Sequence, residues 1–386
     1  MPKMRRFIVA LLCSCGLAAT IAADAAWKWS TGAGGGRAVE MLIIGDVQVH
    51  SRRADPLTAF ARMRETLKKA DVVYANLEGL LVPSAGQKID IPDKPEWTHP
   101  GPNGVKALGP ANITVVGVAN NVASGRANIL GSLAVLDANG IQHVGAGRNI
   151  DEAHKPAIVE RKGVKIGFLQ YTARWYRDAD MIATGTDAGV AKLTSFDGVT
   201  IEPADLERVR ADIRALRPAV DIIVVSHHNR DGSTPVQFGD RKGTSASKNR
   251  EEAEAYQQTF ARAALDTGAD LVFGHGTHTV QGVEVYKGKP ILYALGHSNF
   301  DQPGYEKATD GLVVRVVIDG RRIARVAFVP VTRDASNDVY MLDPSSPEGS
   351  ALVQAVTTRS ATPPSLRVDG HEVVLLDAPA ATSERR

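Results

Sequence analysis

The chain has 386 residues, of which 44% are hydrophobic and 23% charged, and its net charge is +2. That length and apolar share can bury a sizeable core, as one large domain or two modest ones. The near-neutral balance and the lack of an aromatic-basic patch argue against a nucleic-acid footprint, so no nucleic-acid partner is expected.

The first residues read as a secretion signal. Lys3, Arg5 and Arg6 precede the apolar segment "FIVALLCSCGLAATIA", and "ADA" (Ala23 to Ala25) is a small-residue cleavage site. Residues 1–25 are therefore expected to be removed, with the mature protein periplasmic or secreted and touching the membrane only transiently. Cys13 and Cys15, the only cysteines, lie inside this segment, so the mature chain would have neither disulfide nor thiol chemistry. A lipoprotein cleavage at Cys15 is the alternative.

Residues 26–39, including "WKWSTGAGGGRA", read as a flexible lead-in. "VEMLIIGD" then reads as a buried strand, residues 56–69 as a helix, "DVVYANLEG" as a second strand and "NITVVGVANN" as a third. Residues 126–139 are expected to be helical and "IQHVGAG" a short strand. "PAIVERKGVKIGFLQYT" reads as a hairpin turning at Lys162-Gly163. A helix over 202–216 carries acidic residues early and arginines late, as the helix dipole prefers. "VDIIVVSHH" is a strand, 250–267 a helix and "ADLVFGHG" a strand, and the remainder is hairpin-rich. Alternating strands and helices followed by hairpins predict an α/β domain with sheets packed face to face. It is expected over 40–335, with a C-terminal extension over 336–386 that packs on the domain and is partly flexible. Two stretches look weakly ordered: the polar insertion 231–249, which is either a binding loop or surface decoration, and "TTRSATPPS".

Five of these strands end in polar residues. "LIIGD" ends in Asp46, "VVYANLE" in Asn76 and Glu78, "VVGVANN" in Asn120 and Asn121, "IIVVSHH" in His227 and His228, and "LVFGHGTH" in His275 and His278. The carboxyl edge of an α/β sheet is where ligands bind. Imidazole, carboxylate and amide oxygen together suit Zn, Mn or Fe better than Mg or Ca. Two such ions about 3.5–4 Å apart clamp an in-line displacement and activate water. Strand alternation predicts that only one of His227 and His228 faces such a site.

The succession "GDV", "NLE", "ANN", "SHH", "GADLVFGHGTH", "KPILYALG" resembles the poly-gamma-glutamate capsule-synthesis protein family, which is related to calcineurin-like metallophosphoesterases. The resemblance runs from about Met41 to about Val331. It implies a four-layer α-β-β-α sandwich with a divalent metal site, of two ions, at one end of the sheets. Carried over, it implies Asp46, Glu78, Asn121, His228, His275 and His278 as metal ligands, with Asn76 beside Glu78 in the catalytic region.

The chain departs from the family at several places. The third motif usually reads Asn-Asn-His with an acidic residue soon after; here Val122 and Gly125 stand there. In the related phosphoesterases that histidine protonates the leaving group or steadies the transition state, and general acid catalysis contributes roughly 10²- to 10⁴-fold. The first motif has Gln48 where Asp-x-His is usual, the fourth has Asn229 and Arg230 after its histidine, and the last has Thr277 in place of proline. The family's "LGN" is "LGH" here, which introduces His297. His297, His50 or Arg230 are candidate replacement donors, and Arg230 is alternatively a solvated loop residue. Two functions follow. One is a secreted metal-dependent hydrolase of a phosphoester, amide or gamma-glutamyl bond, acting on an anionic polymer or a small molecule. The other is a non-catalytic envelope component that binds polymer during capsule assembly or export.

Overall fold

The structure is a computed structural model, and it describes residues 25–30, 37–49, 55–82, 99–176, 178–229, 236–238, 241–243, 251–301 and 309–377. Four strands come first: β1 (Val39–Gln48), β2 (Val72–Leu77), β3 (Val115–Gly117) and β4 (Gln142–Val144). A hairpin of β5 (Ala157–Arg161) and β6 (Val164–Thr172) follows, then β7 (Ile222–His228) and β8 (Leu271–His275). A second hairpin is β9 (Val283–Tyr286) with β10 (Lys289–Leu292). The last strands are β11 (His297–Phe300), β12 (Gly311–Asp319), β13 (Arg322–Arg333), β14 (Val339–Met341), β15 (Arg367–Asp369) and β16 (Glu372–Asp377). The longer helices are α1 (Arg126–Ala138), α2 (Pro203–Leu216), α3 (Ala255–Thr267) and α4 (Pro347–Thr358).

One sheet has the order β15-β16-β13-β12-β1-β2-β3-β4, with β11 also beside β1 and β14 beside β13; the other is β9-β10-β8-β7-β6-β5. In both sheets the central strands run parallel: β1 to β2, β2 to β3, β6 to β7 and β7 to β8. Such strands are apolar on both faces, which is why they read as continuous apolar runs. On β1, Met41 and Ile43 share a cluster with Tyr74 of β2 and with Phe168, Val224 and Phe273 of the other sheet. Tyr74 stacks on Phe168 at 5.6 Å and meets Phe273 edge-on at 5.1 Å. The alternate residues Leu42 and Ile44 cluster instead with Leu133 and Leu136 of α1. On the second sheet, Tyr171, Ile223 and Val225 cluster with Ile213 of α2 and Phe260 of α3. The mixed α/β expectation holds, with two sheets sharing one apolar core.

Several local expectations change. The helix over 56–69 is broken into a 3₁₀ turn (Pro56–Thr58) and one α turn (Arg64–Leu67), because Phe60 takes a left-handed φ of 61°. α3 starts at Ala255, later than expected, because Glu254 and Gln257 form a capping box that sets its first turn. The third strand is only Val115–Gly117, and Gly145 (φ 97°) interrupts the fourth. The hairpin at Lys162-Gly163 is as expected, both residues having positive φ.

The stretch expected to be loose from Thr357 is pinned instead: it completes α4, and the Ser360 hydroxyl accepts from Val283 N at 2.9 Å. The lead-in is partly docked too, since Trp27 N donates to Thr66 Oγ1 at 2.8 Å. The C-terminal extension is integral to the first sheet, where β16 pairs with β13. Within the polar insertion, Val236–Phe238 and Arg241–Gly243 pair antiparallel. Residues 1–24 of the signal segment, His50 and Arg230 lie outside the described residues. Among the described residues, no helix is long and apolar enough to cross a membrane.

Candidate metal centre

The parallel strands of both sheets bring their carboxyl ends together. Asp46, Asn76, Glu78, Asn121, His228 and His275 are each at most 0% exposed, and His278 4%. A polar cluster so deep must be compensated internally or by a ligand.

Asp46 is the hub. Its Oδ1 accepts from Asn76 Nδ2 at 2.8 Å and lies 3.2 Å from His275 Nδ1, while Gly276 N points at Oδ2 from 3.3 Å. Burial alone would raise the Asp46 carboxyl, but the imidazoles of His275, His228 and His297 outweigh it and hold it down to about 2. Asn76 is oriented in turn: Gln170 Nε2 donates to its Oδ1 at 2.9 Å, and Gln170 Oε1 accepts from Ala119 N at 2.7 Å. Asn76 thus sits as the donor that aims Asp46.

His228 Nε2 and Asn121 Oδ1 meet at 2.6 Å. Burial pushes the His228 imidazole down to about 3, which keeps its ring neutral. His227 points the other way, its ring 4.7 Å from that of Phe260. The alternation along β7 therefore selects His228. The asparagine pair divides likewise: Asn120 Nδ2 donates to Leu77 O and its Oδ1 accepts from Val122 N, whereas Asn121 faces His228.

The glycine-rich turn after β8 explains the spacing of His275 and His278. Gly276 has φ 90°, and a Cβ there would lie 2.8 Å from His228 Nε2 and 2.6 Å from Asn229 O. His278 is itself left-handed, with φ 59°, a conformation a non-glycine residue adopts only where the surroundings require it. The turn brings His278 Nε2 to 3.9 Å from Glu78 Oε1 and its Nδ1 to 2.6 Å from His297 Nε2.

The donor set fits a divalent metal. Ligand atoms of Asp46, Glu78 and His228 lie within 4.8 Å of one another, as do those of Asp46, His278 and His297. His275 Nε2 is buried without a hydrogen-bond partner, as a ring nitrogen reserved for a metal would be.

Val122, at the family's histidine position, is fully buried in the apolar cluster beneath α1. Arg174 was missed in the sequence. It follows β6, is 4% exposed, donates to Tyr176 Oη at 2.9 Å, and its charge is one of the influences that depress His228. The signal for Gln170 and Arg174 was polar residues within or just after the apolar run "KIGFLQYT".

The model of the bacterial capsule synthesis protein family PGA_cap matches residues 40–302. The PGA biosynthesis protein CapA of Bacillus subtilis (strain 168) is 27% identical over 309 residues, covering 78% of this chain and 70% of that protein. The capsule biosynthesis protein CapA of Bacillus anthracis is 24% identical over 300 residues, covering 75% of this chain and 66% of that one. A probable polyglutamine synthesis accessory protein of Mycobacterium tuberculosis (strain ATCC 25618 / H37Rv) is 28% identical over 244 residues, covering 61% and 57%. The chain spans between 57% and 70% of the length of these three relatives. With a family match across 40–302 that contains every strand end of the buried cluster, this chain belongs to the bacterial capsule synthesis protein family.

Proposed function

We propose that the chain is a metal-dependent hydrolase of the capsule-synthesis family, acting on a phosphoester, amide or gamma-glutamyl bond in an envelope polymer or small molecule. The observation that carries this is the convergence of buried carboxylate, amide and imidazole groups from both sheets into two ligand-competent groups that share Asp46. The two sheets with helix-side clusters on their outer faces support a four-layer α-β-β-α arrangement of metallophosphoesterase type. The relatives named for PGA and capsule biosynthesis support an anionic polymer as substrate or ligand. We place the mature protein in the periplasm or outside the cell, on the strength of its first 25 residues.

Bound divalent ions, Zn, Mn or Fe, would acidify water and neutralise charge that develops on the reacting group. The chain's own residues prepare for this. Gln170 and Asn76 form a relay of oriented amides that fixes the Asp46 carboxylate. His228 stays neutral, and Asn121 Oδ1 lies beside it. Arg174 provides a buried cation at the same edge, suited to a phosphate or carboxylate. The apolar packing of Val122 favours one second reading, a non-catalytic polymer-binding component, since no imidazole stands there to protonate a leaving group.

The test is the metal content of the purified protein beside His275→Ala, followed by turnover of phosphoesters, amides and gamma-glutamyl polymers. One or two equivalents, lost in the variant together with turnover, support the hydrolase. Equal turnover in both proteins would sink it. Polymer binding that survives His275→Ala with no turnover in either protein favours the second reading.

A further inference from the structure

β1 and β11 run parallel and end side by side, with Asp46 and His297 as register partners. The His297 ring is fully buried and stacks on Phe300 at 4.1 Å, the two rings 5° from parallel. Its Nδ1 lies 3.4 Å from Arg333 Nη2, so Nε2 is the nitrogen turned towards His278. On β1 itself, the residue two positions after Asp46 is on the same face of the strand, and here it is Gln48. A neutral amide is a poorer ligand than imidazole for Zn, Mn or Fe.

We propose that His297 is a metal ligand, supplying from β11 the imidazole that β1 lacks at Gln48. Asp46, His278 and His297 then hold one ion, and Asp46, Glu78 and His228 contribute to the other. This rests on the metal-centre reading above and assigns His297 to coordination rather than to proton donation. The fit needs little movement. Nitrogens bound tetrahedrally at about 2.0–2.1 Å are about 3.3 Å apart, so rings now 2.6 Å apart at His278 Nδ1 and His297 Nε2 would separate by under an ångström. Coordination through Nε2 puts the ring proton on Nδ1, so the 3.4 Å approach of Arg333 Nη2, which can only donate, lengthens, while Arg333 keeps Asn337 Oδ1 at 2.7 Å.

The test loads the full mature chain with Mn²⁺ and reads equivalents by elemental analysis and the electron paramagnetic resonance spectrum. His297→Phe keeps the stack on Phe300 but removes the nitrogen, and His297→Asp substitutes another ligand. Wild type is expected to hold two ions with an exchange-coupled spectrum. His297→Phe should hold one, with an isolated-ion spectrum. His297→Asp should keep both, the second bound roughly 10- to 100-fold more weakly. Two ions in His297→Phe at wild-type affinity overturn the inference, as does a single wild-type ion that His297→Phe retains. Loss of the second ion in both variants alike makes His297 a packing residue and also overturns it. A wild type that binds no metal defeats the metal-centre reading itself, and the inference with it.

Discussion

Among the described residues, a charged cluster on the first sheet and the strand-end cluster shared by both sheets are built differently. On the first sheet, Arg325 Nη2 of β13 is 2.7 Å from Glu372 Oε1 of β16 and 2.6 Å from Asp369 Oδ2 of β15, and Arg315 Nη2 of β12 is 2.8 Å from Glu40 Oε2 of β1. Cations and anions alternate there. Burial still raises the Glu372 carboxyl, against the pull of Arg315 and Arg325. At the strand ends, by contrast, carboxylates face imidazoles and amides, and ring nitrogens face each other. In the first cluster the charged groups neutralise one another as ion pairs. The second has the composition of a ligand set, whose lone pairs a cation would satisfy.

Substitutions can break this contrast, and the largest effect is expected at the strand ends. Asp46→Ala or His275→Ala should remove bound metal and lower turnover by roughly 10³-fold or more, while the circular dichroism spectrum stays that of the wild type. At the other cluster, Arg325→Ala leaves Glu372 buried without its nearest cation. It should cost about 3–5 kcal/mol in denaturant unfolding yet leave metal content unchanged. If Arg325→Ala emptied the metal centre, the two clusters would not be independent.

Asn76→Ala sharpens the comparison within the site. It removes the donor that aims Asp46 but no direct ligand, so metal affinity should fall roughly 10- to 100-fold, read by competition with a chelator. An unchanged affinity would mean that Gly276 N and His275 orient the carboxylate without Asn76.

A further effect concerns His227, which shares β7 with His228 but packs against Phe260. Burial pushes its imidazole from 6.5 down to about 3. Below pH 6.5 the unfolded chain therefore takes up a proton that the folded chain refuses. The stability it carries is complete above that pH and drains away as pH falls towards 3. In metal-free protein, His227→Phe should reduce the slope of unfolding free energy between these limits by at most about 1.4 kcal/mol per pH unit. An identical slope would show that His227 does not titrate on unfolding.

Much of the architecture was legible because its cause is local. Apolar runs on β1, β7 and β8 are long and end at polar residues, and Lys162-Gly163 carries its turn chemistry in two residues. The helix expected over 56–69 failed because the apolar periodicity there does not disclose the left-handed Phe60. The pairing of β16 with β13 was not legible, because it joins residues distant in sequence, which no local pattern encodes.

The site divides in the same way. Its ligand types and their strand-end positions were in the sequence, as was the rule that one of two adjacent histidines must turn away. Only the tertiary structure decided that His228 and Asn121 meet, that Gln170 reaches across from the other sheet to hold Asn76, and that His297 lies beside His278. Those contacts join residues of separate strands, and His228 to Asn121 spans 107 positions. Residue type and local spacing determine which groups can bind a cation and which strand end carries them. Which groups share one cation depends on how the two sheets register over Tyr74, Phe168 and Phe273, and that register is set by packing of the whole core.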